Sequence, residues 1–169
     1  MPKASAHVGL VLHNASLVDH LHHHPIYHDW IAVVSFYAAL HAVETLFAID
    51  QPQGHEHGQS HEEREALLKN ERRYEDVYRN YRPLWGVAAI ARYLEDTRGR
   101  ATRPAPDNLR AFKDYMTAEE AVAEAVRHRL YRVLRSVANL LRGKPQASAL
   151  RSVRDVVQKI GLPSGPENG

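Results

Sequence analysis

Apolar positions recur with a helical period along most of this chain. In residues 5–22, Val8, Val11, Leu12, Ala15, Val18 and Leu21 repeat at three- and four-residue spacing, which predicts a first helix. His22-His23-His24-Pro25 ends it, because the residue before a proline is pushed out of the helical region. Residues 29–49 are apolar nearly all round, the mark of a buried helix, with Asp29 as N-cap or first-turn acid. A narrow polar line runs along this second helix. At about 100° per residue, Trp30, Val34, Tyr37, His41 and Glu44 fall within about 80° of one another. Hydrogen-bonding side chains on a buried helix need partners, so this line predicts a polar centre.

The later elements are read the same way. Asp50-Gln51-Pro52-Gln53-Gly54 is loop chemistry. Ser60 with Glu63 is a capping box, so a third helix should start at His61. Residues 61–80 are polar, with Glu/Arg pairs at helical spacing, and predict an exposed helix or two short ones. Pro83 is expected to open a helix over about 83–97. Gly99, Pro104 and Pro106 mark a connection, and residues 107–142 are strongly helical. There Val126, Leu130, Val133, Leu134, Val137, Leu140 and Leu141 share one face, and Gly143 and Pro145 stop it. A short amphipathic helix follows near 147–160. No segment reads as a strand. The expectation is an all-α bundle of five or six helices: one domain over 1–145, then a short C-terminal helix and tail over 146–169.

Composition narrows this picture in a few respects. The 169 residues suit one domain, and 44% hydrophobic with 25% charged is ordinary for a globular protein. Cysteine is absent, which excludes disulfides and thiol catalysis and suits a cytoplasmic location. No apolar run free of polar interruption reaches a membrane-spanning length, and the N-terminus is a poor signal peptide, so no membrane partner is expected. The net charge is +2, but its distribution is uneven. Residues 1–60 hold one Lys/Arg and five Asp/Glu, against 21 and 15 in the remainder, while 11 of 12 histidines lie at or before His61.

Several constellations could carry chemistry. His41, with Tyr37 and Glu44, could act as an acid/base group, or could be a satisfied core network. His61 and Arg64 lie one turn apart and, with Arg92 and Tyr93, could hold a phosphate. The competing reading has His61 capping its helix and Arg64 pairing with Glu44 or a neighbouring acid. His55, His57 and His61 have ligand types that suit zinc, nickel or copper, or form a solvated loop. A second cluster, His20, His22, His23, His24 and His28, could bind metal as a tag does. Arg127, Arg132, Arg135 and Arg142 fall within about 140° on the side away from the apolar face, a stripe that could attract RNA phosphates or simply be solvated. Tyr74, Tyr78 and Tyr81 interleave with Arg72, Arg73, Arg79 and Arg82, but their spacing fits core packing better than base stacking.

The ordered set Asp29-Trp30, Phe36-Tyr37-Ala38-Ala39-Leu40-His41, Ser60-His61 with Arg64, Leu84-Trp85 and Ala91-Arg92-Tyr93 resembles the HEPN-like helical bundle proteins, in particular small bacterial members. The resemblance covers roughly residues 5–142. It implies an all-α bundle, often homodimeric, of a family rich in ribonucleases and toxin–antitoxin partners that act in defence and stress. The family's catalytic signature is an Arg followed a few residues later by a His, late in the bundle. This chain departs from it: only His128 lies after His61, positions 121–123 are Ala, Val and Ala, and no Arg precedes a His at the needed spacing. The expectation is therefore a non-catalytic binding or regulatory module, homodimeric, with RNA or an antitoxin-type protein as partner. The alternatives are an atypical metal-independent ribonuclease using His61, Arg64 and Arg92, with Tyr93, His41 and Tyr37, and, third, a His-rich metal-binding protein. No cofactor is expected.

Overall fold

The computed structural model describes residues 3–53, 60–96 and 98–162, and among them every regular element is helical. In chain order these are α1 (Ala4–Leu21), α2 (His28–Asp50), α3 (His61–Asn70) and α4 (Glu75–Tyr93). A rod, α5, follows: Ala118–Ala121, a π-helical stretch Val122–Leu130, and Tyr131–Leu140. The last helix is α6 (Pro145–Lys159). Single 3-10 turns lie at Pro25–Tyr27, Arg72–Tyr74 and Phe112–Asp114.

The centre of the bundle is α2. Its residues are buried almost without interruption from Ile31 to Phe47, because α1, α4 and α5 pack around it. The segment Pro25–Asp50 is long and apolar enough to cross a membrane, yet 83% of its apolar window is buried inside the bundle. Its apolar surface is accounted for by core packing, where each fully buried large side chain contributes roughly 1.5–3 kcal/mol. Val8, Val11, Ala15 and Val18 form the matching stripe of α1. The two helices are separated as the sequence predicts: His24 adopts φ −125° and ψ 83°, outside the helical region, directly before Pro25. On the far side, Ala147, Leu150, Val153 and Val157 of α6 are buried, and α6 packs on α1 and α5.

Two boundaries differ from expectation. The fourth helix does not open at Pro83 but starts at Glu75 and carries Pro83 inside it. Proline costs a helix interior about 3 kcal/mol. Here Val77, Tyr81, Leu84 and Ile90 are buried at helical spacing on both sides of it, and that burial outweighs the lost hydrogen bond. Residues 61–80 are not one exposed helix but two elements, α3, of which only Arg64 and Leu68 are buried, and the start of α4. The chain breaks after Asn70, and Tyr74 and Tyr81 are completely buried, with the Tyr74 hydroxyl donating to Asp50 at the end of α2. Tyr74 and Tyr81 are therefore core residues, not a stacking platform. The second difference is at 107–117, which is not part of the long helix. That rod begins at a second capping box: Thr117 Oγ1 accepts from the Glu120 N–H, and the Thr117 N–H donates to Glu120.

One glycine decides how the connection before α5 runs. Gly86 sits in the middle of α4, where a Cβ would lie 2.2 Å from the Ala101 backbone nitrogen and 2.6 Å from the Arg100 carbonyl carbon. Only a bare Cα lets the chain cross α4 this closely. The crossing places Arg100, which is buried, over the polar centre of the bundle.

Candidate functional site

The polar line of α2 meets α1, α3 and α4, and each of these helices supplies one partner. Ser60 caps α3 as predicted: its N–H donates to Glu63 Oε2 at 2.7 Å, and its Oγ accepts from the Glu63 N–H at 3.2 Å. The cap fixes the helix start, so His61 and Arg64 point at α2 from the first turn. Arg64 Nε donates to Glu44 Oε1 at 2.6 Å, with both side chains buried at 7% and 5% exposure. Such burial with direct pairing marks an ion pair removed from solvent. Arg64 also donates to the Ser60 carbonyl and approaches His61 Nδ1, each at 3.4 Å. Arginine has no acceptor, so Nδ1 of His61 accepts and its Nε2 carries the proton of the neutral ring.

Two histidines complete the centre, and both are held neutral. His41 Nδ1 lies 3.3 Å from Nδ1 of His7, a buried residue on α1, so one ring donates and the other accepts. Burial, then the neighbouring His7, lower the His41 pKa to about 4, and Arg64 adds to this while Glu44 opposes it. His61 is lowered too, first by burial and then by Arg64, with Arg92 and Arg100 acting in the same direction and Glu62 against it. The His61 ring packs against Phe36 and Trp85, with centroids 5.4 and 5.3 Å away. Tyr81 is fully buried beside this pair, and burial pushes its hydroxyl well above the ordinary tyrosine value.

Arg100 and Arg92 bound the centre differently. Arg100 lies 3.6 Å over the Trp85 ring and donates twice to Glu65 Oε2, at 3.2 and 3.0 Å. Arg92 donates to the Tyr37 hydroxyl at 3.4 Å and lies over the ring of Tyr93, which is exposed. Among the described residues Arg92 has no acid partner, so it is the cation of this group left to solvent.

Tyr37, His41, His61, Arg64 and Arg92 thus converge, as the sequence suggested, while Tyr93 lies at the rim. His7, Glu65, Trp85 and Arg100 take part without having been assigned a role from sequence. A glycine inside a helical apolar pattern signals close packing, and Gly86 was the available clue. Arg100 comes from an irregular segment with no periodicity to reveal it. Of the proposed metal trio, His55 and His57 lie outside the described residues.

The arginine stripe occupies a different place. Arg127, Arg132 and Arg135 line a groove of about 460 Å³ between α5 and α6, with Tyr131 and Gln158. Arg132, Arg135 and Arg142 are exposed, and the buried Nε of Arg127 has no partner among the described residues. The groove borders the π-helical stretch. Its i→i+5 bonding brings Glu124 against both His128 and Arg129, at 2.9 and 2.7 Å. That acid is therefore committed to neighbours other than the stripe.

Comparison with family models, curated proteins and solved structures returns no match to this chain.

Proposed function

We propose that this chain is a HEPN-like helical module that works by binding, without catalysis of its own, in a bacterial defence, stress or toxin–antitoxin type system. The observation that carries this reading is the buried pairing of Arg64 with Glu44. An arginine that neutralises an internal carboxylate has little charge left for a phosphate. Metal-independent RNA cleavage also needs proton-transfer groups with pKa values near neutrality. His41, lowered to about 4, is tuned away from that range, and His61 shifts in the same direction. The exposed Arg132 and Arg135, with Arg127, supply the surface for an anionic partner such as RNA or an acidic antitoxin-type protein. A homodimer belongs to this reading, with the two stripes on one assembly.

The runner-up is an atypical ribonuclease, favoured by one observation: among the described residues Arg92 has no acid partner, and it acts electrostatically on His61. Incubation with generic single-stranded RNA in chelator separates the two. Binding at low salt without turnover is expected, weakened in the Arg132→Ala/Arg135→Ala variant by salt-sensitive contacts. Turnover that disappears in both His61→Ala and Arg92→Ala would replace the binding reading with the nuclease one.

A further inference from the structure

At the other end of the bundle, where α1 gives way to the turn before α2, three side chains gather that have no part in the polar centre. We propose that Asp19, His22 and His23 form a site for a first-row divalent transition-metal ion, with zinc as its natural probe. One ligand atom from each residue lies within 4.8 Å of the other two. A tetrahedral zinc ion with bonds of ~2.0–2.1 Å spaces its ligands about 3.3 Å apart. Asp19 and His23 are exposed and His22 half-buried, so side-chain rotation closes that difference with no movement of the backbone.

The surroundings of the three residues are those of a metal site. His22 Nδ1 faces the backbone carbonyl of Asp19, to which a neutral imidazole donates. The same nitrogen lies 3.7 Å from Asp19 Oδ1, which places the carboxylate beside the ring. The His22 and His23 rings sit 3.7 Å apart, centroid to centroid. His22 is also the C-cap of α1, so the negative end of the helix dipole lies beneath the site and favours a cation. Two imidazoles and one carboxylate suit zinc or its first-row neighbours and leave a fourth position for water. Bound there, the ion ties the last turn of α1 to the chain entering Pro25.

The site is independent of the binding function proposed above, and untagged protein tests it. Titration with zinc should give one ion per chain, and cobalt(II) should give the visible bands of a four-coordinate site. Zinc should raise the thermal midpoint, since a ligand that binds only the folded state stabilises it. Asp19→Asn and His23→Ala should each weaken zinc binding at least about tenfold and abolish the rise in midpoint. A variant with His20→Ala and His24→Ala, whose rings form a separate pair at 5.1 Å, should retain both effects. All four positions are solvent-facing, and circular dichroism checks that each variant folds. Zinc affinity that survives Asp19→Asn and His23→Ala, or that falls equally in the His20/His24 variant, would overturn the site and leave only diffuse attraction to a histidine-rich turn.

Discussion

The polar centre between α2, α3 and α4 and the cationic face of α5 treat the same residue type in opposite ways. In the centre, Arg64 is 7% exposed and locked to Glu44, and Arg100 is held between Trp85 and Glu65. On α5, Arg132 and Arg135 stand in solvent with no acid partner among the described residues. A charge withdrawn from water needs a specific counter-charge, and meeting that need fixes the geometry of neighbouring helices. A charge left in water needs none, so its attraction remains available to a ligand. The first arginine set therefore defines architecture, and the second is the one that the proposed binding function would use.

Removing one member of the buried pair is the strongest way to break this contrast. Glu44→Ala leaves the Arg64 guanidinium buried without its carboxylate and should cost about 3–5 kcal/mol in urea unfolding. Replacing both residues together, Glu44→Gln with Arg64→Met, should recover much of that loss, because no uncompensated charge remains. A cost for Glu44→Ala below about 1 kcal/mol, the level of exposed pairs, would show that the centre is no more architectural than the α5 face.

A smaller effect is expected at the crossing over α4. Gly86→Ala places a methyl 2.2 Å from the Ala101 nitrogen, so the chain through Arg100 must lift. Overpacking of this kind costs about 1–3 kcal/mol. The sharper readout is Trp85 fluorescence, since Arg100 should leave the ring it covers. Unchanged emission would mean that the crossing does not position Arg100.

The smallest effect is the pH dependence. The folded-state pKa of His41 is about 4, below the unfolded value of about 6.5. Between these values the unfolded chain binds more protons than the folded one, so stability rises with pH across this window. Acidification from pH 6.5 toward 4 should therefore destabilise the protein, His61 acting in the same direction. His41 is only half-buried, so solvent screening reduces its contribution to on the order of 1–2 kcal/mol. His41→Gln should flatten the acid limb of a stability-versus-pH curve, and a limb of unchanged steepness would remove His41 from the titrating centre.

Where the sequence read the structure correctly, one local pattern was enough. The Ser60–Glu63 box starts α3 because capping involves neighbouring residues only. The all-round apolar character of α2 requires burial whatever surrounds it. Where the reading failed, two local signals competed with distant packing. Pro83 looked like a helix start, but burial of Tyr81 and Leu84 carries the helix through it. Residues 107–117 do bury Phe112, Tyr115 and Met116, but through a single 3-10 turn rather than a helix, and the Thr117 box took over the helix start.

The sequence alone determined that the protein is a helical bundle, that α2 is its core, and that Tyr37, His41 and Glu44 share one line needing partners. These follow from periodicity and from the cost of burying polar groups. Which partners answer that line was decided only by tertiary structure. Arg64 pairs with Glu44, His7 meets His41, and Arg100 arrives over Trp85 through a connection that Gly86 admits. Periodicity fixes the direction in which a side chain leaves its own helix, whereas the identity of what it meets depends on how distant segments pack.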